Sequence, residues 1–174
     1  MIISRNNKTK SDNVADVLII GGGLVGMTLG CALGAAGIAV ALVEPTRPSR
    51  LVTEEFDGRT TAIAAGSKVI LDTIDVWSDI ANEAQPILDI RVSDGHSPLF
   101  LHYDRRDVGV DALGYIVENR VIRSALLKGL TNAPSVKLLS GCRVDRLDIT
   151  NSFATAHLDN SDILRTRLAV ATDG

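Results

Sequence analysis

The stretch that most constrains this chain runs from residue 16 to residue 45, DVLIIGGGLVGMTLGCALGAAGIAVALVEP. Residues 16–20 are a short apolar run rich in branched side chains, the composition of a strand buried on both faces. Gly21-Gly22-Gly23 interrupts it at once. Residues 24–36 are small and apolar and predict a helix, closed by Gly37. Residues 38–43 are a second buried strand, ending at Glu44-Pro45. Strand, glycine turn, helix and strand within about 30 residues make the βαβ unit that opens a doubly wound parallel sheet.

The turn has the spacing Gly21-x-Gly23-x-x-Gly26. A helix start offers unpaired backbone N–H groups and the positive end of the helix dipole, so it suits a pyrophosphate. The backbone must approach that anion closely, which requires side chains to be absent. Gly21 permits the tight turn, Gly23 the approach, and Gly26 the packing of helix on strand. Glu44 follows about 20 residues later, at the offset of a carboxylate that accepts hydrogen bonds from a ribose. A carboxylate there disfavours a second anion, so a 2′-phosphate at this ribose is not expected. The alternative is a glycine-rich turn that serves packing alone. The motif does not choose between NAD and FAD.

Further along, residues 45–57 hold two prolines and several charges and predict a loop. Apolar residues at helical spacing (Ile63, Ala64, Val69, Ile70, Leu71) predict a helix over 60–74, and a shorter one follows around 76–81. Two strands, 87–92 and 99–103, flank a turn at Asp94-Gly95. A helix is expected over 119–130. Short strands follow at 136–139, 142–149, 153–158 and 163–171, separated by Asn151-Ser152 and Asn160-Ser161.

Composition removes several classes of function. The 174 residues are 45% hydrophobic and 22% charged, with a net charge of −3, which is a globular balance. That charge leaves no electrostatic footprint for nucleic acid, and aromatics at 3% leave few stacking platforms. No apolar run approaches the roughly 20 residues of a spanning helix. Residues 1–15 are polar, without the apolar centre of a secretory signal, and are expected to form a loose tail. Cys31 and Cys142 lie far apart and are expected to pack as small hydrophobes. His96, His102 and His157 show no ligand spacing, so no metal is expected.

The opening stretch resembles the start of class A FAD-dependent monooxygenases. Residues 57–64 (DGRTTAIA), with Ser67 and Leu71, are similar to the block that follows in the ubiquinone-biosynthesis hydroxylases of that class. So are residues 115–120 (YIVENR) with the helix after them, and the closing Asp173-Gly174 pair behind an apolar strand. The resemblance spans residues 16–174. It departs at Asn119, where many relatives carry arginine and here Arg120 comes next, and at Ala171-Thr172, where Gly-Ala is usual.

This resemblance implies a Rossmann-like FAD/NAD(P)-binding α/β fold with a parallel sheet, plus strands of an inserted β-rich substrate domain. It assigns 16–85 and 105–174 to the FAD-binding domain, with a β-meander around 141–167, and 86–104 to strands reaching the substrate domain. Strands around 142–167 are expected to contribute to that second sheet as well. It implies that Gly21, Gly23, Gly26 and Glu44 hold the ADP part of FAD, with Arg59, Asn119, Arg120, Asp173 and Gly174 as further cofactor contacts. NADH or NADPH would be the transient co-substrate and molecular oxygen the oxidant, with a flavin hydroperoxide hydroxylating the ring of a polyprenylated phenol or quinone-type substrate. Other proteins of ubiquinone biosynthesis would be partners, and the location would be cytoplasmic, peripheral at the inner membrane face. The family continues past Asp173-Gly174 with a later Gly-Asp motif and most of the substrate pocket. The chain is therefore expected to be the N-terminal portion of a longer enzyme and inactive alone. For Arg59 the alternative is a surface arginine, and for Asp173 a simple turn. For the whole chain the alternatives are an NAD(P)-dependent dehydrogenase and a non-catalytic nucleotide-binding module.

Overall fold

The structure, a computed structural model, describes residues 13–47, 58–95 and 99–173. Strand β1 (Asn13–Ile20) leads through the glycine turn into helix α1 (Leu24–Ala35), and β2 (Val40–Glu44) returns beside β1 in parallel. Gly37, at φ +73°, carries the chain out of the helix. β3 (Thr60–Ala64), α2 (Ala65–Thr73) and two 3₁₀ turns (Trp77–Asp79 and Ala81–Glu83) follow. Next come β4 (Gln85–Ile87), β5 (Asp89–Ser93), β6 (Phe100–Asp104) and the short α3 (Arg105–Val108). The chain then forms β7 (Gly114–Glu118), α4 (Asn119–Asn132), β8 (Val136–Ser140), β9 (Val144–Ile149), β10 (Ala154–Leu158) and β11 (Ile163–Ala171).

Among the described residues the strands form three sheets. The largest has the order β8-β2-β1-β11-β10-β9, in which β8, β2, β1 and β11 run parallel and β10 and β9 continue antiparallel. β3-β7-β4 is an antiparallel sheet of three, and β5-β6 an antiparallel pair.

The apolar runs of β1 and β2 are continuous because both faces of the parallel sheet are covered. Val17, Ile19, Val40 and Leu42 face a core built with Met27, Cys31, Trp77, Ile80, Leu126 and Leu130. Leu18, Ala41 and Val43 face the other way, into a core with Cys142, Ala156, Leu158 and Leu164. Each fully buried side chain of this size contributes about 1.5–3 kcal/mol.

Several elements differ from the sequence expectation. β1 begins at Asn13, not at residue 16, because Asn13, Val14 and Ala15 pair with Leu164, Arg165 and Thr166 of β11. The rest of the expected tail, and most of the loop over 45–57, lie outside the described residues. The helix expected over 60–74 is a strand and then a helix, since Thr60–Ala64 pairs antiparallel with Gly114–Glu118. The helix expected over 76–81 is two 3₁₀ turns. The strand expected over 87–92 is split, with β4 joining β7 and β5 joining β6. The strands of 142–167 hydrogen-bond to the nucleotide-side sheet through β11, not to a separate one.

Candidate dinucleotide-binding site

The C-terminal ends of β11, β1 and β2 lie side by side, and the glycine turn leaves the central one. Gly21 has φ +108°, a conformation that glycine adopts without steric cost. Its N–H donates to the Val43 carbonyl at 2.9 Å. A Cβ on Gly26 would sit 1.9 Å from the Gly21 carbonyl oxygen and 2.6 Å from Thr172 Oγ1, so Gly26 is what lets α1 lie against the turn. Gly23 behaves differently. It is exposed, and a Cβ there would meet no atom within 4 Å.

Gly23 is also the N-cap of α1. No side chain caps that helix start, and its first turn carries no acid. The N–H groups that every helix leaves unsatisfied at its start therefore lie beside a residue without a side chain, in front of which a Cβ would meet open space. This is a cradle suited to an anion.

Glu44 ends β2 and is buried. Its Oε2 accepts from the Gly22 N–H at 2.6 Å and its Oε1 from the Thr46 N–H at 2.8 Å. The carboxylate is thus fixed by backbone donors, and each oxygen keeps a second lone pair for a ligand hydroxyl. Sequence reasoning passed over Gly22, yet a Cβ on it would sit 2.7 Å from Glu44 Cβ. It also passed over the role of Thr172, whose N–H donates to the Ile20 carbonyl at 2.8 Å. The Thr172 hydroxyl lies 3.0 Å from that carbonyl oxygen and 2.7 Å from that of Gly21. A run of three glycines and a polar residue at a strand end were the available signals for both. Asp173 is exposed and its backbone lies against Gly21. Gly174 lies outside the described residues.

Arg59, Asn119 and Arg120 form a second group at one end of the β3-β7 ladder. The Arg59 carbonyl accepts from the Asn119 N–H at 3.0 Å, and Asn119 Oδ1 accepts from the Thr61 hydroxyl at 2.5 Å. Arg59 is exposed. Arg120 is engaged by acids: Nε lies 2.5 Å from Glu118 Oε2, and Nη2 lies 3.8 Å from Glu83 Oε2. An apolar groove of about 430 Å³ is lined by Leu24, Val25 and Thr28 of α1, Thr61 of β3, and Ile70 of α2, among others. Among the described residues no group of three or more His, Cys, Asp and Glu side chains is placed to hold a metal ion.

The residues at the β1–α1 corner fit a dinucleotide such as FAD, because of the corner's four glycines (Gly21, Gly22, Gly23 and Gly26) only Gly23, at the helix start, has open space in front of it. Comparison with known proteins agrees. A family model described as an FAD binding domain matches residues 14–174. The ubiquinone hydroxylase UbiL of Rhodospirillum rubrum is 45% identical over 164 residues, covering 94% of this chain and 38% of that protein. The ubiquinone hydroxylase UbiM of Neisseria meningitidis is 30% identical over 164 residues, covering 91% of this chain and 36% of that protein. The chain thus spans under two fifths of the length of these curated relatives. The solved structure of the p-nitrophenol 4-monooxygenase PnpA from Pseudomonas putida superposes with a TM-score of 0.75 at 22% identity, over 94% of this chain and 42% of that one, and shares the fold. With an uncapped helix start, an open glycine and a backbone-fixed glutamate at the corner of a parallel sheet, and a match over residues 14–174, this chain belongs to the FAD-binding domain family.

Proposed function

We propose that this chain is the FAD-binding part of an aromatic-ring hydroxylase of ubiquinone biosynthesis. The 45% identity to a ubiquinone hydroxylase over nearly the whole chain carries this reading. FAD, when bound, supplies the redox chemistry that activates molecular oxygen, with NADH or NADPH as the source of electrons. The chain's own residues bind and orient. Gly23 and the first turn of α1 receive the pyrophosphate, Glu44 accepts from the ribose, and Gly21 and Gly26 shape the turn. Arg59, Asn119, Arg120, Asp173 and Gly174 contribute the remaining contacts.

The substrate is a polyprenylated phenol or quinone precursor. The protein works in the cytoplasm at the inner face of the membrane, alongside other proteins of the same pathway. Among the described residues no helix is long and apolar enough to cross a membrane. Residues 16–85 and 105–174 make the FAD-binding domain, and 86–104 reach into the substrate domain. The β5-β6 pair supports that division. Ile90, Val92, Leu101 and Tyr103 alternate onto one face and are all exposed, and two strands alone are marginally stable in water.

The test supplies full-length protein with FAD, NADH or NADPH, oxygen and a polyprenylated phenol. The expected product carries one added ring oxygen. Binding of NAD without FAD would favour a dehydrogenase, and FAD binding with no hydroxylated product would favour a non-catalytic role.

A further inference from the structure

We propose that Thr172 is a positioning residue for FAD, acting through the Gly21–Gly22 peptide. The proposal rests on the FAD-binding reading above. The carbonyl of Gly21 and the N–H of Gly22 belong to one planar unit and point in opposite directions. The Thr172 hydroxyl, at 2.7 Å, donates to the first, and Glu44 Oε2, at 2.6 Å, accepts from the second. Thr172 follows β11 on one side of β1, and Glu44 ends β2 on the other. The peptide is therefore clamped from both flanking strands.

The Thr172 hydroxyl lies 3.0 Å from the Ile20 carbonyl oxygen, which already accepts the Thr172 N–H at 2.8 Å, and 2.7 Å from that of Gly21, so its single proton has the shorter contact at Gly21. Gly21 and Gly22 are both buried, so without the hydroxyl the Gly21 carbonyl has no water to replace it. The same plane orients the Gly22 N–H that holds the Glu44 carboxylate, and it directly precedes Gly23 at the helix start. Loss of the hydroxyl frees the plane to rotate and loosens the ribose-side acid and the phosphate-side turn together. An alanine at this position could not make the contact.

The experiment compares Thr172→Val, which keeps the shape and removes the hydroxyl, with Thr172→Ser, which keeps the hydroxyl. In the full chain, Thr172→Val is expected to raise the FAD dissociation constant about ten-fold, measured by flavin fluorescence, while Thr172→Ser stays within about two-fold. A second readout needs no FAD. Hydrogen exchange of the Gly22 amide, measured against the Leu42 amide of β2, is expected to accelerate about ten-fold in Thr172→Val and not in Thr172→Ser. Should Thr172→Val not fold, Thr172→Ala serves as the hydroxyl-free partner. Exchange and affinity both within about two-fold of wild type in the hydroxyl-free variant, or a serine variant as impaired as it, overturn the proposal. A wild-type chain that fails to bind FAD overturns the functional reading instead, and the exchange measurement still decides the clamp.

Discussion

Gly23 and Gly26 belong to one motif and answer to different forces. At Gly26 a Cβ would collide with the Gly21 carbonyl at 1.9 Å, so this glycine is a requirement of folding. At Gly23 a Cβ would meet nothing, so the fold itself does not require glycine there, and on the function proposed above the requirement would come from the ligand. Gly26→Ala is expected to cost about 3 kcal/mol of stability in a urea titration. Gly23→Ala is expected to stay within about 1 kcal/mol of wild type in the same titration while FAD affinity falls about ten-fold. Equal destabilisation by the two changes would show that Gly23 is also a folding residue. The motif was legible at this scale because its spacing is local. The tasks of Gly22 and Thr172 were not, because each depends on a partner on another strand: Glu44 for the first, and Ile20 and Gly21 for the second.

Helix α1 packs against α4 through small side chains, and Cys31 lies in that contact with its thiol 3.5 Å from the Leu126 carbonyl oxygen. Burial pushes its pKa from 9.0 up to about 11. Below pH 9 the thiol is protonated in both folded and unfolded chains. Between pH 9.0 and about 11 the unfolded chain releases this proton and the folded chain retains it. Stability contributed by the neutral thiol is therefore lost as pH rises through that window, by up to about 1.4 kcal/mol per pH unit. Cys31→Ala is expected to flatten this alkaline slope in urea titrations at about pH 8 and about pH 10.5, whatever its effect on absolute stability. An unchanged slope would assign the alkaline loss to other groups. Element boundaries were less legible than element types. Ile63 and Ala64 share a helical spacing with Val69, Ile70 and Leu71, yet Thr60–Ala64 is a strand because it finds a partner in β7. Pro86 is accommodated because β4 lies at an edge of its sheet.

Among the described residues two cores lie on the two faces of one sheet, and the candidate cofactor corner sits where three parallel strands end together. Ligand binding there would be coupled to global stability, since only the folded chain has the corner. FAD at about 100 times its dissociation constant is expected to add about 2.7 kcal/mol and to raise the melting temperature. NAD at the same concentration is expected to leave it unchanged. A shift with NAD and none with FAD in thermal melts would move the chain to the dehydrogenase class.

What the sequence by itself determined is the run from β1 through the glycine turn and α1 to Glu44. Every signal there is local: apolar runs, glycine spacing, and an acid at the end of the next strand. Tertiary structure alone decided that β11 lies beside β1, that β9 and β10 extend the same sheet, and that Thr172 and Glu44 grip one peptide from opposite sides. These depend on hydrogen bonds between segments far apart in the chain, and strand order follows from the pairing that satisfies the most buried backbone groups, not from the pattern of any one strand.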